Sequence, residues 1–215
     1  MLKLAFDARP AALRLLCLGA HCDDIELGAG GTILRWLAEG RLGAVQWVVF
    51  AATAERAREA EASAARFLQQ APSGAAAVTV HRFRDGLLTQ QTEAVKTEFE
   101  QLKAFAPDLI LTHCQHDLHQ DHRLVSQLTW NTFRSHLILE YEIPKYDGDL
   151  GNPACFVELS AAQLEAKLAL LRQAFPSQAG KHWYDDDAFR ALPRLRGIQC
   201  AARYAEAFYI RKLLL

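Results

Sequence analysis

Two short clusters hold most of the residues in this 215-residue sequence that could do metal-assisted chemistry. The first is His21-Cys22-Asp23-Asp24-Ile25-Glu26, followed by Gly28, Gly30 and Gly31. Imidazole nitrogen and carboxylate oxygen are both good zinc ligands, and an H-x-x-D spacing lets one turn present both to a single ion. Asp23 or Asp24 would also serve a plainer purpose, because Asp is a favoured helix N-cap. The second cluster is His113-Cys114-Gln115-His116-Asp117-Leu118-His119-Gln120-Asp121-His122, with four histidines and two aspartates in ten residues. His119 and His122 share a face if a helix starts there. Catalytic zinc generally takes three protein ligands and keeps a position open for water. Two ligands from the first cluster and one from the second would complete such a site, whereas a polar, pH-sensitive loop is the plainer reading of the second.

The clusters can meet only if the fold brings them together, and the hydrophobic pattern says how it would. Residues 13–20 form an apolar run that ends at small residues, as at the carboxyl end of a buried strand. Residues 30–40 have helical spacing at Ile33, Leu34 and Leu37, with Gly40 as the stop, and residues 44–50 read as a second buried strand. Residues 55–70 predict an alanine-rich helix, 76–83 a strand, 92–105 a helix and 108–113 a fourth strand introduced by Pro107. A helix is expected from just after Asp121 to about residue 135, a strand over 137–143 and a loop over 144–153. Ser160 opens a helix through residue 174 with Gln163 in the capping-box position, and 204–213 read as a last strand. This alternation predicts one α/β domain over residues 1–215: a Rossmann-like, doubly wound, mostly parallel sheet with helices on both faces. Ligands in such sheets gather at the strand carboxyl ends, where both clusters fall.

Bulk properties narrow the function. The 51% hydrophobic and 23% charged composition is that of an ordinary globular protein, and no run approaches the ~18 apolar residues that span a bilayer. The first fourteen residues place Asp7 and Arg9 among apolar residues and do not read as a secretory signal, so the expected location is the cytoplasm. Five cysteines without a C-x-x-C pair read as reduced thiols. A net charge of −1 gives no reason to expect nucleic acid as a partner. Oligomeric state stays open, homo-oligomers being common among soluble enzymes.

His21-x-Asp23-Asp24-x-Glu26 before Gly-x-Gly-Gly, with Asp117-x-His119-x-Asp121-His122 about a hundred residues later, resembles the LmbE-like or PIG-L-type N-acetylglucosaminyl deacetylases. The resemblance extends to Arg58-x-x-Glu61, Asp85-Gly86 and Ala205-Glu206-Ala207-Phe208, segments that are weak by themselves. It implies that His21, Asp24 and His122 bind Zn2+, that Asp23 is the general base, and that His119 and Asp121 form a supporting dyad. Cys22 stands where the family usually has proline. The implied substrate is an N-acetyl amino sugar or its conjugate. An amidase of the same fold acting on another N-acyl group or a thiol conjugate is the nearest alternative.

The chemistry is coherent in its own terms. Bound zinc acidifies water and polarises an amide carbonyl while a free carboxylate such as Asp23 takes the proton. A protonated imidazole such as His119, oriented by Asp121, can offset negative charge and supply the leaving amine with a proton. Asp121 is equally suited to cap the following helix. Arg58 and Asp85 are candidate sugar contacts, although an Arg–Glu pair on an exposed helix is usually a surface pair and Asp-Gly is common turn chemistry. His113 and His116 read as supporting or surface residues. His182, Trp183 and Tyr184 could wall a cleft or pack in the core. The Asp185-Asp186-Asp187 run suits a helix start. A dinucleotide-binding fingerprint fails, because G-x-G-x-x-G needs glycine where Ile33 stands. A catalytically silent sugar-binding module would need neither Asp23 nor His119.

Overall fold

The computed structural model describes residues 12–214, so most of the stretch read for a leader lies outside it. Five parallel strands form the body of the sheet: β1 (Leu13–Gly19), β2 (Leu42–Ala51), β3 (Ala76–Phe83), β4 (Leu109–His113) and β5 (Leu137–Tyr141). Two more, β6 (Cys155–Leu159) and β7 (Tyr204–Tyr209), complete the order β3-β2-β1-β4-β5-β7-β6. β7 runs antiparallel to both β5 and β6. The chain steps outward from β1 to β3, then returns to place β4 on the other flank of β1. The gap between β1 and β4 is therefore the topological switch point, where this class of sheet opens a crevice.

Both faces of the sheet are covered because alternate strand residues face opposite ways. Leu15, Cys17, Trp47, Val49 and Leu111 pack with α1 (Asp24–Ala38), α2 (Ala54–Phe67) and α5 (Ala161–Ala174). Leu16, Leu18, Val48, Phe50 and Ile110 pack on the other face with α3 (Thr92–Leu102) and α4 (Gln120–Thr132). α6 (Asp186–Gln199) starts at the acidic run, with Asp185 accepting the Ala188 N–H as its cap. The Ser160–Gln163 capping box is formed in both directions.

Two features differ from the sequence reading. α1 begins at Asp24 rather than near residue 30, so Gly28 lies inside the helix together with Gly30 and Gly31. They are glycine because the helix lies hard against its neighbours: a Cβ on Gly28 would sit 2.3 Å from the Tyr141 ring, and one on Gly31 2.6 Å from Leu159. The second difference is β6, a short half-exposed strand whose five residues carry no strong alternation.

Buried charge fixes α1 in this position. Lys167 Nζ donates to Glu206 Oε1 and to the Leu27 carbonyl, each at 2.7 Å. Glu206 in turn accepts the N–H groups of Gly31 and Thr32 at 2.9 and 2.6 Å. The Ala-Glu-Ala-Phe segment near the C-terminus thus ties β7 and α5 to the helix that carries Asp24. Among the described residues no helix is long and apolar enough to cross a membrane.

Candidate active site

The carboxyl ends of β1 to β5 supply one cleft of about 340 Å³, a volume suited to a small-molecule ligand. The β1 end contributes His21, Cys22, Asp23 and Asp24, and the segment after β4 contributes His119 and His122. Arg56 comes from α2, Asp85 from the loop after β3, and Lys145 and Tyr146 from the loop after β5. Gln178, Lys181 and Trp183 close the far side.

His21, His122 and Asp24 converge at the centre. His21 Nδ1 and His122 Nε2 are 3.0 Å apart, and the two oxygens of Asp24 take one each, Oδ2 3.5 Å from His21 Nδ1 and Oδ1 3.5 Å from His122 Nε2. Ligand atoms ~2.0–2.1 Å from a tetrahedral zinc are roughly 3.3 Å from one another, so the spacing fits such an ion. The far nitrogens are already held by carboxylates: His122 Nδ1 is 2.9 Å from Asp117 Oδ2, and His21 Nε2 is 3.1 Å from Asp85 and 3.3 Å from Asp121. A carboxylate on the far nitrogen fixes the tautomer and turns the near lone pair toward a metal. Three overlapping sets among the described residues bring their ligand atoms within 4.8 Å of one another: His21 with His119 and His122, Asp24 with His113 and His122, and His21 with Asp85 and Asp121.

Asp23 occupies the N-cap position of α1 but its side chain makes no cap hydrogen bond. It turns into the cleft, where Arg56 Nη2 lies 3.0 Å from its carboxylate. Burial raises its pKa above the usual carboxylate range against the pull of Arg56. Asp24 goes the other way: burial opposes its charge, but His122, His113 and His21 outweigh that and hold it ionised. Burial and the neighbouring His113 push His122 down to about 4, so it presents a neutral imidazole. Two like-typed neighbours in sequence thus have opposite tendencies, one toward a proton acceptor and one toward a fixed anion.

The structure rearranges two expectations. The Asp121 carboxylate neither holds His119 nor caps α4. It accepts the N–H groups of Gly86 and Leu88 at 2.7 and 3.1 Å and faces His21. His119 is the N-cap, its Nδ1 accepting the Asp121 N–H at 3.2 Å. That leaves a neutral His119 with its proton on Nε2, a donor available to the cleft. Burial and the neighbouring His21 lower its pKa, where the dyad reading would have raised it.

Arg58 and Glu61 are exposed on the outer side of α2 and do not line the cleft. Arg56, two residues earlier, does, and it stacks on Phe175 while pairing with Glu59. Helical spacing marks only the flank it sits on, Arg56 and Glu59 lying half-buried beside a seam of Ala57, Ala60, Ser63 and Ala64. His113, passed over as a supporting or surface residue, is fully buried behind the site, its Nε2 3.1 Å from Asp24 Oδ2. His116 is exposed. Trp183 lines the cleft, whereas Tyr184 packs against Phe175 and Phe189. Cys22 is buried, with Sγ 3.6 Å from the Ala51 carbonyl and its thiol pushed up to about 12 by burial, so it acts as a small apolar filler.

Fold and site together define a doubly wound α/β protein with a His/Asp-rich cleft at its switch point. The family model described as GlcNAc-PI de-N-acetylase (PIG-L) matches residues 16–133, more than half of the chain, and the chain belongs to that family. A search of curated proteins gives no match. Among solved structures, N,N'-diacetylchitobiose deacetylase from Pyrococcus horikoshii is 21% identical, covering 96% of this chain and 87% of that one, with a TM-score of 0.69. The conserved protein TT1542 from Thermus thermophilus is 23% identical over 94% and 96%, with a TM-score of 0.71. The 4-carboxy-2-hydroxymuconate hydratase GalB from Pseudomonas putida is 17% identical over 94% and 98%, with a TM-score of 0.70. A deacetylase and a hydratase thus share this fold, and the reaction has to be argued from the site.

Proposed function

We propose that this chain is a zinc-dependent hydrolase that removes the N-acetyl group from an amino sugar or amino-sugar conjugate, with His21, Asp24 and His122 holding the ion. The observation that carries the proposal is the convergence of His21 Nδ1, His122 Nε2 and Asp24, with the far nitrogen of each histidine tethered to a carboxylate. Family membership supports de-N-acetylation in preference to the other chemistry found on this fold. Zinc, when bound there, would polarise the amide carbonyl and make water more acidic.

The chain's own residues supply the rest. Asp23, raised in pKa by burial, takes the proton of the attacking water as the new C–O bond forms. Arg56 holds that carboxylate at 3.0 Å and keeps it directed into the cleft. His119 presents Nε2–H to the oxygen that gains negative charge, and the proton that Asp23 took from the water passes to the departing nitrogen, so the C–N bond breaks with the amine protonated. Asp121 and Asp85 hold His21, and Asp85, largely exposed at the mouth, also stands where a sugar hydroxyl would pass. Tyr146 and Trp183 offer ring faces on which the apolar side of a sugar packs.

The test is metal content. Protein purified without added metal should carry about one zinc per chain on this ligand set, and His122→Ala should remove it. Wild-type protein that takes up no divalent metal would overturn the proposal.

A further inference from the structure

One largely shielded cation at the cleft mouth has no part in the reaction as described. Lys145 lines the cleft, yet its Nζ turns to two aspartates, 3.0 Å from Asp117 Oδ2 and 2.5 Å from Asp149 Oδ2. All three side chains are largely shielded from solvent, at 12%, 2% and 6% exposure respectively. Asp149 also accepts the Leu118 N–H at 2.6 Å, and Asp117 accepts the His119 N–H at 2.8 Å through its other oxygen. The Asp117 oxygen that faces Lys145 is the one that holds His122 Nδ1 at 2.9 Å. A continuous set of contacts therefore runs from the loop after β5 through Lys145 and Asp117 to His122.

We propose that Lys145 is a positioning residue for His122: by bridging Asp117 and Asp149 it pins the mouth loop to the turn before α4 and keeps Asp117 on His122 Nδ1. The inference rests on the reading of His122 as a metal ligand. Its physical basis is that two buried carboxylates share one ammonium. Without Lys145, Asp117 and Asp149 are left as neighbouring buried anions, and the electrostatic cost is relieved by moving them apart. Asp149 is carried by the loop, while Asp117 carries the orientation of His122, so separation is transmitted to the ligand. The alternative, that Lys145 acts only as a nearby charge, predicts the opposite sign. Removing a cation from the vicinity of a divalent ion would, by Coulomb's law, tighten binding.

Zinc affinity of the full chain, measured by competition with a chelator, separates the two, with the absorption spectrum of the cobalt-substituted protein as a second readout. Lys145→Met should weaken zinc binding by about tenfold, the low end for groups that hold a ligand's far nitrogen, and should alter the cobalt spectrum. Lys145→Arg, whose guanidinium can reach both carboxylates, should restore most of the affinity and the spectrum. If Lys145→Met gives no cooperative melt, Lys145→Gln is read by the same criteria. Wild-type or tighter zinc binding with an unchanged cobalt spectrum in the Met or Gln variant would overturn the proposal. Wild-type protein that binds no zinc, or His122→Ala that binds it normally, would instead sink the ligand assignment on which it rests.

Discussion

Asp121 reaches across the site to His21, its Oδ2 3.3 Å from His21 Nε2, while its sequence neighbour His119 accepts the Asp121 backbone N–H through Nδ1. The expected dyad is therefore joined through the Asp121 backbone, while the Asp121 carboxylate serves His21. Asp121 also accepts two backbone N–H groups of the loop that carries Asp85, so one buried carboxylate sets both a candidate ligand and the mouth loop beside it.

Asp121→Asn and His119→Ala should consequently behave differently. The asparagine retains one acceptor oxygen where the carboxylate used two, and zinc affinity should fall by ~10–100-fold. His119→Ala should keep its zinc and lose rate, by ~10²–10³ for a missing donor to the developing oxyanion. Zinc retained after dialysis against a chelator, measured beside kcat, decides this. A His119→Ala protein as zinc-free as His122→Ala would reassign His119 as a ligand.

Arg56 and Arg58 give a second contrast. Arg56 makes a buried, charge-assisted contact to Asp23 and stacks on Phe175, whereas Arg58 faces out. Losing a hydrogen bond to a charged group costs ~1.5–3 kcal/mol. Arg56→Ala should therefore lower kcat/KM by roughly 10–100-fold. Arg58→Ala should leave it within about twofold, as surface changes usually do. Equal effects from the two would contradict the placement of α2.

The division between what the sequence disclosed and what it hid follows a physical line. Strands β1, β2, β4 and β5 and the position of both clusters at strand carboxyl ends were legible, because buried parallel strands are short apolar runs and the polar clusters follow two of them directly. The start of α1 at Asp24 was hidden because Gly28, Gly30 and Gly31 lower helix propensity, and glycine serves turns as readily as close approaches. Only Tyr141, Phe67 and Leu159, distant in sequence, show that close approach is the reason here. The metal-ligand spacing His21-x-x-Asp24 was visible locally, but the partners that hold each far nitrogen were not. Asp117 holding His122 and Asp121 holding His21 depend on side-chain directions that residue order does not encode. The same holds for Arg56: periodicity marks the flank of α2 it shares, not the helix that flank meets.

Glu59 links α2 to the turn at Ser177 and yields a pH prediction away from the metal site. Burial opposes its charge, but the Ser177 Oγ and N–H at 2.7 and 2.8 Å, with Arg56, hold its pKa below the ordinary carboxylate value. A folded pKa below the unfolded ~4.3 contributes stability above that value and loses it as pH falls through the folded pKa. Urea denaturation should show wild type more stable than Glu59→Gln near neutral pH, with the difference shrinking as pH falls below about 4. A difference that stays constant with pH would show that the carboxylate's charge is not what Ser177 recognises.

The most direct test of the account is acetate release. Metal-free, zinc-restored and zinc-restored Asp23→Asn proteins should be assayed on a panel of N-acetylglucosamine-bearing substrates: the free sugar, a nucleotide sugar, a lipid-linked sugar and an aglycone conjugate. The account predicts release from at least one member by the zinc-restored wild type, no release without metal, and a loss of ~10²–10⁴ in rate for Asp23→Asn with its zinc intact. Acetate release that persists undiminished in the metal-free protein, or in Asp23→Asn, would contradict it.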